Sequence, residues 1–542
     1  AGLIQVGKGN SSRSRKVSNE FHIYGPPGTG KTTTLIKNIG LAVEKHGAGK
    51  VMVCSFTKAA ATEVINRGVP VQPNMIGTLH SLCFRGLEDP VIAESKAKEF
   101  NEDKSHGYSV TPKGKAGIDD IGEASGSSDD TLTHYQSFRA RMIKRGGWPN
   151  AIKGFAHHWE KWKLETGYLD FNDLIEVARD TFLVAPGNPK VMFVDEAQDL
   201  NALQMSCIRK WGESMERLVL VGDDDQTIFR FTGADAANMI DREIPEENKI
   251  ILNQSYRVPR AVLQRADSWI KRVSHRQVKE YLPRDAEGEV RRMSWATWKN
   301  PEGVVADIVT QVAQGKKTMV LASAAYILGP TIEMLRGRGL FFYNPYRITN
   351  GIWNPIRTGD GSVKNRILTY LHGDLSPEWT NHQLMVWTEL IKAKDVLLHG
   401  ARAAIKRDAE ARPHDRAHYQ AVFEPGKYPW QSLDPWSAIP EKALRWLSQN
   451  AAPAKSKGIK YIESAVVHHG KDYLFQPPKI VVGTVHSVKG GEADVVYLFP
   501  DLSRQAYDSN QDDITRVMYV GMTRARETLV IPDSVAGVAA PI

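Results

Sequence analysis

The chain has 542 residues, of which 42% are hydrophobic and 24% charged, and Lys+Arg 70 against Asp+Glu 62 leaves a net charge of +8. That length is more than one hydrophobic core serves, so about two to four domains of ordinary globular composition are expected. Cys54, Cys83 and Cys207 are too few and too scattered for a disulfide or zinc framework, no run reaches the roughly 18 apolar residues of a membrane span, and the first residues lack the apolar stretch of a signal peptide. A soluble, intracellular, cytoplasmic protein without a membrane partner is expected, and its mild basic excess fits a polyanionic partner without establishing one.

Along the chain, short β-rich runs alternate with helical patterns, as in parallel sheets flanked by helices. In the first half the runs are FHIY (21–24), VMVCSF (51–56), VMFVDEA (191–197), RLVLVGD (217–223) and KIILN (249–253). In the second they are EVRRMSW (289–295), KTMVLAS (317–323), IVVGTVHS (480–487), DVVYLFP (494–500) and TLVIP (528–532). Two α/β domains follow from this spacing. Each is interrupted: a polar, Gly/Ser/Lys/Asp-rich segment and a Trp-containing helical stretch fill 85–165, and a second insertion fills 344–478. Part of the first is expected to be a mobile loop. The second carries a strongly helical run, HQLMVWTELIKAKDVLLHGARAAIKRDAEAR, and six of the 13 tryptophans, most of them expected in the core.

The first strand leads into GPPGTGKT, Gly25 to Thr32, which fits G-x-x-x-x-G-K-[ST] between a strand and a helix. Gly25, Gly28 and Gly30 let the loop wrap with its N–H groups facing phosphates, with Thr29 and Thr33 in the same wrap; Lys31 can then reach the β- and γ-phosphates of a nucleotide, and the Thr32 hydroxyl can ligate Mg²⁺. VMFVDEAQD ends a buried strand in Asp195-Glu196 at the carboxyl edge of the sheet, where Asp195 would hold Mg²⁺ and Glu196 would orient and deprotonate the attacking water. VGDDDQTIFRFTGAD (221–235) follows another strand and places Gln226 where a neutral amide can sense the γ-phosphate. Its aspartates then read as turn and magnesium-shell residues.

GPPGTGKT, SFTKAAATEV, GTLHSL, LDFNDL, FVDEAQDL, VGDDDQTIF, NQSYR, GTVHSVKGGEAD and YVGMTRAR occur here in the order found in UvrD/Rep/PcrA-type superfamily 1 DNA helicases, which the chain resembles from Gly25 to about Leu529. The resemblance implies an α/β fold of two RecA-like P-loop motor domains, each with an inserted mainly helical subdomain, and ATP bound in the cleft between them. The first motor domain would be 1–84 and 166–277 with 85–165 inserted, and the second 278–343 and 479–542 with 344–478 inserted. It further implies that Tyr256 stacks on adenine, that Arg257 and Arg524 are arginine fingers on the γ-phosphate, with Arg524 coming from the second motor domain, and that Glu492 contacts the ribose. Phe56, His80, Phe229, Phe231 and His486 fall where the family contacts single-stranded DNA, so one loop would couple the phosphate sensor Gln226 to a base grip at Phe229 and Phe231.

The chain departs from the family pattern in places. The segment before the P-loop shows no clear adenine-reading glutamine beyond Gln5, Phe231-Thr232 stands where the family has Trp-Arg, and Ala322-Ser323 replaces a common arginine. The leading expectation is a monomeric, ATP-dependent 3′→5′ DNA helicase acting on single-stranded DNA and single/double-strand junctions, with room for a loading or accessory protein. A single-strand translocase with the same motor chemistry, and a non-hydrolysing nucleotide-dependent scaffold, are the alternatives; the full set Lys31, Asp195, Glu196, Gln226, Arg257 and Arg524 argues against the scaffold.

Overall fold

A computed structural model describes residues 19–56, 65, 67–111, 130–348, 350–356, 361–372, 381–407, 422–427, 440–508, 510–535 and 537–542. Gln5, the centre of the polar 85–165 segment and the end of the helical run at 382–412 lie outside these residues. The chain divides into two compact units: Ala1–Val290 with Arg504–Thr528 and Ile542, and Arg291–Ser503 with Leu529–Pro541.

The first unit is built on a sheet of β1 (Glu20–Tyr24), β2 (Val51–Ser55), β3 (Ile76–Thr78), β4 (Val191–Asp195), β5 (Arg217–Gly222) and β6 (Lys249–Ile251). Their spatial order is β3-β2-β4-β5-β1-β6, and every pair is parallel. β2 and β4 are buried along their whole length, which is why both read as continuous apolar runs. β1 differs: Glu20, His22 and Tyr24 share one face by the two-residue period of a strand, and the buried His22 bridges the other two, at 2.9 Å to each. The strand β3, only three residues long, was not among the expected ones; one and a half alternations give too little periodicity to read.

Parallel pairing brings the carboxyl ends of the strands to one edge. Tyr24 lies opposite Gly222, Ser55 opposite both Asp195 and Thr78, and Val194 opposite Leu220. Against the sheet's core pack α1 (Lys31–His46) and α2 (Leu79–Gly86); α3 (Asn150–Thr166) packs in a separate core around Trp159, α4 (Phe171–Thr181) and α5 (Ala202–Gly212) return to the sheet's core, and α6 (Arg260–Ile270) and α7 (Gln511–Met522) pack on each other. α7 belongs to this unit although in sequence it lies between the strands Ala493–Leu498 and Ala525–Pro532 of the second sheet. Trp269 Nε1 of α6 donates to the Thr515 carbonyl at 3.0 Å, and the buried Arg516 reaches the carbonyls of Asp224 (3.1 Å) and His275 (3.0 Å). Burying that guanidinium is tolerable because it is spent on backbone acceptors.

The second sheet comprises β7 (Glu289–Met293), β8 (Thr318–Ala322), β9 (Phe342–Tyr343), β10 (Ile480–Thr484), β11 (Ala493–Leu498) and β12 (Ala525–Pro532), ordered β7-β12-β11-β8-β10-β9. β11, β8, β10 and β9 pair in parallel. The expected long helix at 382–412 is instead two short ones among the described residues, Asn381–Thr388 and Ala401–Arg407. Between them Asp395 and Gly400 take φ of 64° and 78°, and the chain there pairs outward at Ile391 with Ala451 and at Leu397 with Phe423. Tertiary pairing overrides helical propensity there. Trp353 and Trp387 are fully buried in this unit's core, as expected of the insertion's tryptophans.

Candidate active site

The phosphate-binding loop turns tightly between β1 and α1. Gly28 and Gly30 have φ of 75° and 80°, a region that costs a side-chain-bearing residue roughly 1–2 kcal/mol. At Gly28 sterics matter more, since a Cβ would come within 2.4 Å of the Arg257 Cβ. The first turn of α1 carries no acidic residue, so its N–H groups and positive dipole end suit an anion. Lys31 lies at that N-terminus with Nζ donating to the Gly25 carbonyl at 2.5 Å. Burial lowers its pKa, and the carboxylates of Glu196, Asp223 and Asp195 offset part of that fall.

The loop is held from outside by the NQSYR segment. Ser255 Oγ and the Tyr281 hydroxyl both donate to the Pro27 carbonyl, at 3.1 and 2.6 Å, and Tyr256 N–H donates to the Gly28 carbonyl at 2.8 Å. Tyr256 is 72% exposed, and a Cβ on Gly30 would lie 3.9 Å from its ring, so a broad aromatic face stands open beside the loop. Arg257 is next to it, half-buried.

β4 delivers the paired acids. Asp195 is buried and accepts the Glu196 N–H at 3.0 Å. Glu196 itself is left-handed, φ 52°, a conformation that stores on the order of 1–3 kcal/mol and aims the side chain away from the strand direction. Gln198, fully buried, donates to Glu196 Oε2 and accepts the Asp223 N–H at 3.0 Å. A Cβ on Gly222 would collide with that amide at 2.3 Å, so the glycine makes room for the bridge. Thr32 and Asp195 offer a hydroxyl and a carboxylate, hard oxygen donors of the kind Mg²⁺ takes, and Asp195 is close enough to bias the Lys31 charge. The donor chemistry fits the metal.

After β5, Asp224–Gln226 form a 3₁₀ turn in which Asp223, Asp224, Asp225 and Gln226 are all buried. Among the described residues these three aspartates are a group close enough to share a metal ion. The structure gives them an ammonium instead. Lys279 Nζ pairs with Asp223 at 2.8 Å, Asp225 at 3.0 Å and also Asp224, and the Arg276 guanidinium takes Asp225 through Nε at 2.8 Å. This corrects the magnesium-shell expectation: cations of the protein already satisfy the carboxylates. Burial raises Asp223, but Lys279 and Lys31 outweigh it and hold its carboxyl below the usual range; burial and its two neighbours push Asp224 up to about 6 despite Lys279. Gln226 Nε2 donates to Asp223 at 2.8 Å, and Gln226 Oε1 accepts from Arg524 Nη2 at 3.1 Å. Arg524 is 1% exposed and also donates to the Val520 carbonyl at 2.9 Å.

Lys31, Asp195, Glu196, Gln226, Tyr256, Arg257 and Arg524 therefore all belong to the first unit. Arg524, which the resemblance assigned to the second motor domain, joins this unit because α7 is anchored there. Glu492 and His486 lie in the second unit, both half-buried, His486 in the turn that follows β10. Of the aromatic residues, Phe56 and Phe229 pack with centroids 5.5 Å apart and Phe229 is only 7% exposed, whereas Phe231, 6.0 Å from Phe229, is 42% exposed. Only Phe231 of the pair in the sensor loop presents its ring. His80 stands edge-on to Phe171, and burial, partly offset by a backbone hydrogen bond at Phe171, drives its imidazole down to about 4, so it is neutral at pH 7. Gln198, Ser255, Arg276, Lys279, Tyr281 and Arg516 went unmarked in the sequence. FVDEAQDL and NQSYR flag the first two by position, but nothing in HRQVKEYL distinguishes Lys279 from a surface lysine.

Two family models match the chain: the UvrD/REP helicase N-terminal domain over residues 8–244, and the UvrD-like helicase C-terminal domain over residues 479–531. The chain is similar to the "ATP-dependent DNA helicase PcrA" of Bacillus subtilis (strain 168), 29% identical over 288 residues, which cover 48% of this chain and 39% of the relative. It is also similar to proteins of the same name from Staphylococcus epidermidis, 25% identical over 351 residues (58% and 47%), and Staphylococcus aureus, 25% identical over 330 residues (54% and 44%). The matched part thus spans less than half the length of these relatives.

Proposed function

This chain belongs to the UvrD/Rep/PcrA-type helicases of superfamily 1, and from that premise we propose that it hydrolyses ATP to move 3′→5′ along single-stranded DNA and to open duplex DNA. The observation that carries the proposal is the convergence on one sheet edge of the phosphate loop, the acids of β4, Gln226 and Arg524. ATP enters with its phosphates on the N–H groups of Gly28 to Thr33 and the N-terminus of α1, and its base on the open face of Tyr256. Lys31 neutralises the β- and γ-phosphates. Thr32 and Asp195 hold Mg²⁺, which when bound draws charge from the phosphate oxygens. Glu196, aimed by its left-handed backbone and by Gln198, takes the proton of the attacking water. Gln226 orients that water or the γ-phosphate, and Arg257 and Arg524 meet the charge that develops there. Glu492 completes the nucleotide contacts at the ribose. Phe56, His80, Phe231 and His486 carry the DNA strand, with single/double-strand junctions as the working substrate and an accessory protein as a natural partner.

A translocase that unwinds poorly alone is the second reading. It is favoured by one observation, the burial of Phe229, which leaves a single exposed ring in the sensor loop. Strand separation on matched duplexes with a 3′ or a 5′ single-stranded tail tests both readings. Opening of the 3′-tailed duplex alone, abolished by Lys31→Ala, is the expected result. DNA-stimulated ATP turnover without opening would favour the translocase, and preference for the 5′ tail would refute the direction.

A further inference from the structure

The segment that follows α6 does more than lead out of the domain. Within a few residues it pairs Arg276 with Asp225, gives the Gln277 N–H to Asp224 Oδ2 at 2.8 Å, sets Lys279 among Asp223, Asp224 and Asp225, and gives the Tyr281 hydroxyl to the Pro27 carbonyl. It is a strap that ties the acid turn and the phosphate loop into one body. Most of its bonds hold carboxylates of the acid turn, and one of them reaches further. Lys279 takes Asp223 Oδ1, and the other oxygen of the same carboxylate accepts Gln226 Nε2.

We propose that Lys279 is a positioning residue for Gln226, acting through Asp223. An amide can be turned end for end at little cost in shape, and only its partners decide which end is the donor. Asp223, an acceptor and nothing else while ionised, fixes Nε2 on its side and so turns Oε1 to the Arg524 guanidinium. Asp223 can play that part only while it stays charged in a buried site. Lys279 is the nearest cation that keeps it so, and burial, Lys279 and Lys31 together leave the carboxyl below its ordinary range. Without the ammonium, three adjacent buried carboxylates would take up protons. A protonated Asp223 could donate to Gln226 instead of accepting, and the amide would lose its defined sense. The inference rests on the hydrolytic reading above, because the amide matters only if it faces a reacting phosphate.

Steady-state ATP turnover with saturating single-stranded DNA tests it in the full chain, with Lys279→Met, Asp223→Asn, Gln226→Ala and the two doubles that add Gln226→Ala. Losing one charged hydrogen bond in the chain should lower kcat at least about tenfold in Lys279→Met and Asp223→Asn while KM for ATP stays within about threefold. In the Gln226→Ala background neither substitution should lower kcat further, because residues acting through one another are not additive. A merely structural role would give losses that multiply with that of Gln226→Ala, and that result overturns the proposal, as does wild-type kcat in Lys279→Met. Should Lys279→Met fail to fold, the isosteric Asp223→Asn and its double decide alone. If the unmodified chain turns over no ATP, the hydrolytic reading has failed and this inference falls with it; normal turnover with additive variants sinks the inference only.

Discussion

Two buried acid clusters in the first unit are built alike and do different things. Around Lys279 and Arg276 sit Asp223, Asp224 and Asp225; around Lys163 and Arg139 sit Asp170, Asp173 and Glu176. In each, a lysine and an arginine offset adjacent carboxylates that could not be buried alone. What separates them is the next bond outward. Asp223 passes on to Gln226. Asp170 passes on to backbone: its Oδ1 accepts the Asp173 N–H at 2.9 Å, Asp173 returns the bond, and the pair form a capping box for α4, while Trp159 Nε1 of α3 also reaches Asp170 at 3.1 Å. The second cluster therefore pins the inserted helices to the core, and the first one holds the Gln226 amide between Asp223 and Arg524. Composition does not tell them apart; the acceptor's second partner does.

The contrast can be broken most forcefully at Lys163. Lys163→Met strands buried carboxylates and should cost about 3–5 kcal/mol in denaturant unfolding of the unit, while kcat per folded molecule holds within about twofold. A matching fall in kcat would erase the distinction between the clusters. Glu94, beside the second cluster, sharpens it through pH. Burial and then the Asp170 charge push its carboxyl up to about 8. The folded state then keeps a proton that the unfolded chain gives up near pH 4.5, so wild-type stability contributed by this group falls as pH rises from about 4.5 to about 8. Glu94→Gln, which keeps the acceptor for Gln136 Nε2, should gain on wild type across that window by on the order of 1 kcal/mol per pH unit, and parallel melting curves at pH 5.5 and 8 would contradict this. The gentlest of these changes is Gln198→Ala. It cuts the link between Glu196 and the acid turn and should slow ATP turnover about tenfold with little change in KM, the scale of one buried hydrogen bond; an unchanged rate would remove Gln198 from the account of the site.

The sequence was readable where chemistry is local. FHIY, VMVCS, VMFVD and RLVLVG each announce a buried strand by their own composition, and GPPGTGKT announces its turn because glycine takes the φ at Gly28 and Gly30 at the least cost. The acids of FVDEAQD were legible for the same reason. What could not be read depends on partners distant in the chain. Lys279 is one lysine in a polar stretch until the fold sets it against Asp223–Asp225. Phe229 and Phe231 look equivalent two residues apart, yet Phe56, just past the end of β2, packs on one and leaves the other open. The broken helix at 382–412 failed on the same ground, since Ala451 and Phe423 pull the chain out of its local preference.

The ammonium among the three aspartates also constrains descent. Five codons, those of Arg276 and Lys279 far downstream of the other three, encode one set of paired charges, and a lineage that lost the lysine at 279 would carry a liability until an aspartate at 223, 224 or 225 was lost as well. Because Asp223 alone touches Gln226, such repair should fall on Asp224 or Asp225, so that inherited variation at 279 travels with theirs and leaves 223 unchanged.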